Sequence, residues 1–126
     1  SQGSIVKDLV ASAKILNGYK IVVELLDDIS ELKEMGDSFR QHFKNSGIAL
    51  IGTIISGKPM VMCAVSDDLT AKIKAGDIVC SVGQAMGGGG GGKPHLATAG
   101  GKDISKLKEA LQTGKKLIIK KIGINE

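Results

Sequence analysis

The chain has 126 residues and a formal net charge of +4, and 42% of its residues are hydrophobic and 24% charged. This length suits one domain, and the balance is that of a folded globular protein rather than a disordered or fibrous one. The longest mainly apolar run, residues 48–55, is far shorter than the ~20 residues that cross a bilayer, and no leading apolar segment marks secretion, so we expect a cytoplasmic protein without a membrane span. Because the chain starts at Ser1 rather than methionine, we also expect it to be a piece of a longer protein.

The first elements are predicted from hydrophobic spacing. Apolar residues between Ile5 and Leu16 recur at helical spacing and stop at Asn17-Gly18, which predicts the end of a leading helix over residues 1–17. The β-branched segment Tyr19–Leu26 predicts a strand. An apolar stripe from Ile29 to Phe43, with steps of three or four residues, predicts a second helix.

Two nearly continuous apolar runs follow, residues 48–56 and 60–65. Gly57-Lys58 between them predicts a hairpin with a type II′ turn. Because both runs lack polar alternation, we expect layers of structure on both faces of their sheet.

The second half of the chain is predicted to be mainly helical. Residues 75–86 and 103–114 have helical spacing, Asp103 is a candidate N-cap, and residues 117–122 predict a last edge strand. The order β-α-β-β-α-α predicts an α/β sandwich with a mixed β-sheet, flanking helices and a glycine-rich loop. We therefore divide the chain into a globular domain at residues 18–114, preceded by the helix end and followed by a basic extension at residues 115–126.

Positive charge is concentrated in the second half. From Lys93 onward there are eight lysines against three acidic residues. Such a skew favours a polyanionic partner, either nucleic acid or an acidic protein. The chain has only three aromatic residues, too few for a base-stacking sheet, so a bound nucleic acid would be recognised by its backbone and shape.

The segment GGGGGGKPHLATAGG, residues 87–101, allows three interpretations. It formally satisfies the phosphate-binding pattern G-x4-G-K, but Pro94 replaces the Ser or Thr that would hold magnesium. Its composition also suits a flexible tether. Alternatively, small residues at set spacing permit close backbone approach, and successive amides, with the positive end of a helix starting near Asp103, form an anion site.

The same segment resembles the signature of the DHH-associated C-terminal domain of alanyl-tRNA synthetases: a glycine run, a basic residue, proline, then A-x-A-G-G. Residues 9–23 and 62–79 resemble the segments that flank it in that family. The resemblance implies a domain that binds tRNA near its elbow and assists aminoacylation and editing. The expected RNA-binding residues are the motif positions and nearby cations: Gly87, Gly88, Gly89, Gly90, Gly91, Gly92, Lys93, Pro94, His95, Ala97, Ala99, Gly100, Gly101, Lys102 and Lys106.

The sequence departs from the family pattern at two positions. Lys93 stands where the synthetases commonly have arginine, which keeps the charge but loses bidentate contact with phosphate. His95 stands where an acidic residue is common.

The resemblance also implies the partners and the parent protein. We expect an alanine–tRNA ligase as parent, with alanine-specific tRNA, the remaining synthetase domains and a second copy of the parent as partners. No catalytic or metal site is expected in this chain, because Cys63, Cys80, His42 and His95 have no recognised ligand spacing. No cofactor is expected here either, and the ATP, magnesium and zinc of the family would belong to other parts of the parent.

Three alternatives remain open. The same domain occurs in free-standing alanyl-tRNA editing deacylases. It also occurs in phosphoesterases and nucleases of the DHH type, which have histidine directly after the glycines where this chain has Lys93. A purely structural dimerisation module is the third.

Overall fold

The computed structural model describes residues 2–123, which form four helices and six strands. In chain order these are α1 (Gln2–Ala11), β1 (Lys14–Leu16), β2 (Tyr19–Leu25), α2 (Leu32–Phe43), β3 (Gly47–Ile55), β4 (Lys58–Val65), α3 (Ala75–Ala85), β5 (Gly89–Lys93), β6 (Leu96–Gly100) and α4 (Leu107–Lys121). Short 3-10 turns at Asp67–Leu69 and Ile104–Lys106 precede α3 and α4.

The strands form one mixed sheet in the order β1-β2-β3-β4-β6-β5. Strands β2 and β3 run parallel, and every other neighbouring pair is antiparallel. The predicted α/β fold with a mixed sheet and flanking helices is therefore confirmed. No helix within residues 2–123 is long and apolar enough to cross a membrane.

Both faces of the central strands are covered, as the apolar runs predict. On one face, Leu50 and Cys63 belong to a buried cluster with residues of α3 and α4. On the other face, Ile51 and Met62 pack with α1 and α2. The alternation along β3 and β4 thus divides one continuous apolar sequence between two cores.

The predicted leading helix is too long. It ends at Ala11, and Lys14–Leu16 instead form β1, paired with β2. Asn17 and Gly18 have φ of 52° and 83°, the two positive values of a type I′ hairpin turn, rather than forming a helix C-cap. The structural boundary at residue 17 is therefore the tip of a hairpin, and Ser1 lies outside the described residues.

The β3–β4 hairpin is confirmed, but its turn lies one residue earlier than predicted. Ile55 pairs with Lys58, and Ser56 and Gly57 have φ of 51° and 76°. The turn is consequently type I′ rather than type II′.

The C-terminal region contains the largest error. Residues 117–122 are not an edge strand, because α4 continues from Leu107 to Lys121. Gly114 does not end the helix but is buried within it, where it lets α4 approach Leu50 and Val82. Ile118 and Ile122 are fully buried in the core, so packing outweighs the β-propensity of this segment. The last three residues of the predicted extension lie outside the described part of the chain.

Candidate functional site

The glycine-rich segment is a β-hairpin rather than a loop or tether. Gly89–Lys93 form β5 at the edge of the sheet, and Leu96–Gly100 form β6 between β5 and β4. The turn at Pro94-His95 is held on both sides: the Ala75 N–H donates to the Pro94 carbonyl at 2.8 Å and the Val65 N–H to the His95 carbonyl at 3.0 Å. The segment is therefore a paired strand and turn fixed to the rest of the sheet and to α3.

Alternate glycines of the run have no space for a side chain. A Cβ atom on Gly88 would lie 2.8 Å from the Gly101 Cα, and one on Gly92 would lie 2.8 Å from the Ala97 Cα. One on Gly90 would meet the backbone of Thr98 and Ala99. These neighbours are main-chain atoms, which cannot move aside, so the fold itself requires glycine at the three positions.

The small residues of β6 serve the same close packing. Ala97 and Ala99 are buried beside α3, where Gly83 allows the helix to approach both Ala99 and Gly89. Gly101 is buried against Met86, and its N–H donates to the Pro59 carbonyl at 3.0 Å. The predicted spacing of small residues thus reflects contact between the hairpin and α3.

The other glycines of β5 have room for a side chain. A Cβ on Gly89 or Gly91 would have nothing within 4 Å, and every residue of β5 is exposed. In the part of the chain that the structure describes, no side chain or loop donates to or accepts from the backbone of Gly89–Lys93 outside the sheet. One side of the β5 backbone therefore offers free N–H and C=O groups to a ligand, along a strand without side chains.

The expected cations are distributed around this edge. Lys93 is exposed on β5 itself, two residues after Gly91, so it projects from the same face as Gly91 and Gly89. Lys102 follows β6 and is also exposed, with its N–H bound to the Met86 carbonyl at 2.9 Å. Lys106 lies in the turn before α4, within the layer that α3 and α4 form, and is therefore less directly associated with the glycines.

The 3-10 turn that precedes α4 is capped by Asp103, whereas α4 itself begins at Leu107 without a side-chain cap. The Asp103 carboxylate accepts from the Ser105 N–H at 3.0 Å, which confirms Asp103 as an N-cap. Hydrogen bonds from the Ser105 hydroxyl and N–H, with a smaller contribution from Lys106, lower the pKa of Asp103. The capping carboxylate places a negative charge in the turn just before α4, which opposes the attraction of that helix end for anions.

The cysteine and histidine side chains considered as reactive candidates lie in ordinary structural environments. Cys63 is fully buried, and desolvation raises its pKa to about 12, which makes it unreactive at neutral pH. His42 is exposed on α2 with its ring beside the Ser38 carbonyl at 2.9 Å, and His95 is half-buried at the hairpin turn. No group of three or more His, Cys, Asp or Glu side chains within residues 2–123 could hold a metal ion.

Thr98 is a residue of this site that the motif reasoning missed. It pairs directly with Gly91 and is half-buried, so its side chain lies on the same face of the hairpin as the open glycines. The alternation Ala97, Thr98, Ala99 was the available signal, since the middle residue of such a triplet must face away from the core that buries its neighbours.

Comparisons with known proteins agree on the family. The DHHA1 domain family matches residues 18–120. The chain is 41% identical over 115 residues to an alanine–tRNA ligase of Dehalococcoides mccartyi, covering 89% of this chain and 13% of that protein. It is 45% identical over 106 residues to the alanine–tRNA ligase of Thiobacillus denitrificans, covering 82% and 12%. The chain thus spans about one eighth of the length of these relatives.

Solved structures show the same fold. The C-Ala domain of Aquifex aeolicus alanyl-tRNA synthetase superimposes with a TM-score of 0.73 at 26% identity, covering 83% of this chain and 96% of that one. A DHH-domain protein described as a member of the S1P family of ribosomal proteins, PF0399, gives a TM-score of 0.62 at 18% identity over 94% of this chain and 30% of that one, which is a likeness of fold only. The chain therefore belongs to the DHHA1 domain family, in the form found as the C-Ala domain of alanyl-tRNA synthetases.

Proposed function

We propose that this chain is the tRNA-binding accessory domain of an alanine–tRNA ligase. Its relatives of about 40% identity are alanine–tRNA ligases, and its matched region is a small part of each of them. In this role the domain holds the body of the tRNA, near the elbow, while other domains of the ligase carry out aminoacylation and editing.

One observation carries the proposal: β5 is an edge strand of four glycines that ends in Lys93, and the side chain of Lys93 lies on the open face of the strand. Main-chain N–H groups can donate to phosphate or ribose oxygens, and bare glycines let the sugar-phosphate chain approach them closely. Lys93 adds an ammonium group at the end of the strand, and Lys102 lies beyond the other end. Such a site recognises the shape of the RNA backbone rather than its bases.

The charge distribution supports a nucleic-acid partner in the same way. The second half of the chain has an excess of lysine, whereas the only ion pair between side chains in residues 2–123 joins Arg40 and Asp67. Lysines without acidic partners can bind RNA phosphates and displace the counterions condensed on the RNA. The release of these counterions favours binding at moderate salt.

Several features of the parent belong to this proposal. The domain itself would use no cofactor, and the ATP, magnesium and zinc of the ligase would bind elsewhere in the parent, which would act in the cytoplasm. The remaining synthetase domains and a second copy of the parent are the expected protein partners. A parent that is a free-standing editing deacylase would lack ATP-binding motifs upstream of this domain. A phosphoesterase parent is less favoured, because Lys93 replaces the histidine expected there.

The test is a salt titration of tRNA binding by fluorescence anisotropy. Lys93→Ala should weaken binding of a folded alanine tRNA and reduce the slope of log K against log salt by about one unit, as expected for one lost phosphate contact. Lys7→Ala, at an exposed position of α1 far along the chain from the hairpin, is the matched control and should match the unmodified domain. Equal affinity and equal slope for Lys93→Ala and the unmodified domain would contradict the assignment.

A further inference from the structure

The two faces of the β5–β6 hairpin differ in what covers them. Ala97 and Ala99 face α3 and are buried in its cluster. Leu96 faces the other way, where its side chain lies against Gly36 of α2. Because directly paired residues of an antiparallel ladder share a face, Lys93, Gly91 and Gly89, opposite Leu96, Thr98 and Gly100, all lie on the α2 side.

Helix α2 covers the centre of this face and leaves its outer part uncovered. Gly36 packs on Met62 of β4 and on Leu96 of β6, so the helix lies over these strands. Beyond it, all of β5 is exposed, and a Cβ on Gly89 or Gly91 would meet no atom. The result is a shelf, made of Gly89, Gly91, Lys93, Thr98 and Gly100, with one flank of α2 as its inner wall.

That flank of α2 is identified by Arg40. Its Nε donates to the Val65 carbonyl, at the end of β4, at 3.0 Å, and its guanidinium pairs with Asp67. Lys33 precedes Arg40 by seven residues, which is almost two complete turns, so its side chain leaves α2 on the same flank. Lys33 is exposed and, unlike Arg40, makes no ion pair among the described residues.

The position of Lys33 along the strand direction follows from the pairing of β4, β6 and β5. Gly36 contacts Met62, which pairs with Thr98, which in turn pairs with Gly91. Helix α2 ends at Phe43 against Gly47, at the same end of the sheet as Lys93, so earlier residues of α2 lie toward Gly89. Lys33 starts about 4.5 Å before Gly36, which places it between the levels of Gly91 and Gly89.

The space beside this flank is open and carries both charges. A cleft of about 340 Å³ further along α2 is lined by Asp37, Arg40, Gln41, Lys44, Ser66 and Asp67. Two acidic residues in this lining limit its attraction for anions, and one of them is engaged by Arg40. Lys33 and Lys93 are therefore the lysines best placed to bind an anion over the open glycines.

A second basic surface competes with this shelf. The exposed side of α4 carries Lys108, Lys116 and Lys120, but α4 lies with α3 on the opposite side of the sheet. On that side the glycines of β5 are closed by packing, whereas Gly89 and Gly91 open only toward α2. Close approach to the main chain of β5 and binding to the α4 lysines therefore require different faces.

From this arrangement we propose that the RNA backbone lies on the α2 side of the hairpin, across the open faces of Gly89 and Gly91, and that Lys33 is an RNA-binding residue that contacts a phosphate. This inference rests on the proposed tRNA-binding function and adds to it the face and a residue outside the glycine motif. The lysines of α4 then contribute only to the general field.

The experiment compares Lys33→Gln with Lys116→Gln, because both remove one positive charge from an exposed helical position. Binding of the folded alanine tRNA is titrated at several salt concentrations. Loss of one phosphate contact, at a slope of 0.7–0.9 per contact, corresponds to about a four- to six-fold weaker affinity near 0.15 M salt. We expect this loss and a shallower slope for Lys33→Gln, no more than a minor change for Lys116→Gln, and unchanged melting temperatures for both.

The outcomes separate the two proposals. If the unmodified domain does not bind tRNA, the proposed function fails. If it binds, and Lys116→Gln weakens binding while Lys33→Gln does not, the RNA lies on the α4 side and only the further inference is overturned. If neither change affects binding, the phosphate contact of Lys33 is likewise refuted while tRNA binding itself stands.

Discussion

Neighbouring glycines of β5 should respond in opposite ways to the same substitution. In Gly90→Ala, the new methyl group would overlap the main chain of Thr98 and Ala99, which pair with β4 as well as with β5 and cannot withdraw. Overpacking of this kind costs about 1–3 kcal/mol. In Gly91→Ala, the methyl group would enter open space, and the loss of unfolded-state freedom should stabilise the fold by about 0.4–1 kcal/mol.

The two variants therefore differ by about 1.4–4 kcal/mol in the free energy of unfolding, from the same one-carbon change at adjacent positions. For a domain of this size, 1 kcal/mol corresponds to about 3–5 °C in melting temperature, so the variants should melt roughly 4 °C or more apart. Thermal unfolding followed by circular dichroism measures this difference directly. Similar melting temperatures, or a greater loss for Gly91→Ala, would refute the assignment of the two faces.

The same pair also tests function, because Gly91→Ala should fold normally while its methyl group obstructs the shelf. We expect weaker tRNA binding by Gly91→Ala at unchanged or higher stability. A weaker binder that is also less stable would instead indicate that the fold, not the ligand, requires Gly91.

Three further predictions concern Asp68 and the two cysteines. Desolvation of Asp68 is outweighed by hydrogen bonds from Ser66 and Ser46, which together lower the pKa of this carboxylate. The stabilisation that the carboxylate provides is therefore present above its ordinary pKa of 3.8 and is lost as the pH falls below that value. The Asp68→Asn variant should lose less stability on acidification than the native chain, and an equal loss in urea titrations would contradict this. The pKa of Cys63 is raised from 9.0 to about 12, so the stability that its protonated thiol contributes is fully present below pH 9 and declines as the pH rises from 9 toward 12. The free energy of unfolding of Cys63→Ala should therefore decline less steeply than that of the native chain over this interval. In the native state at pH 8 a thiol reagent should label only the half-buried Cys80, and labelling of Cys63 at a comparable rate would show that it is not buried.

Local prediction succeeded for several segments in which consecutive residues repeat one pattern. The stripe of α2 and the apolar runs of β3 and β4 required only spacing and composition, because burial on a defined face dictates both. The helix at Ala75–Ala85 followed from similar spacing. The candidate site was also predicted from the sequence, since glycines, small residues and Lys93 occur together in an uncommon order, and it stays a prediction.

Elsewhere, local signals were ambiguous or were overruled by packing. Leu16 fits a helical stripe as well as a strand, and the Asn-Gly turn that distinguishes them also resembles a helix C-cap. Residues 117–122 favour a strand by propensity, but Ile118 and Ile122 complete the core only if α4 continues. A glycine at position 114 can end a helix or let it pack closely, and the choice depends on Leu50 and Val82, which are distant in sequence.

The amino-acid sequence by itself determined the fold class, the two-sided core, the basic character and the family resemblance, because each depends on composition, short-range order or a motif. Only the tertiary structure could show that the glycine segment is an edge strand and that its members have different roles. Whether a glycine is needed for packing or leaves room for a ligand depends on the atoms opposite it, and those atoms belong to β6 and α3. The same reason applies to Lys33, which is separated from the glycine motif by more than fifty positions along the chain, so that its proposed role depends on the packing of α2 on the sheet.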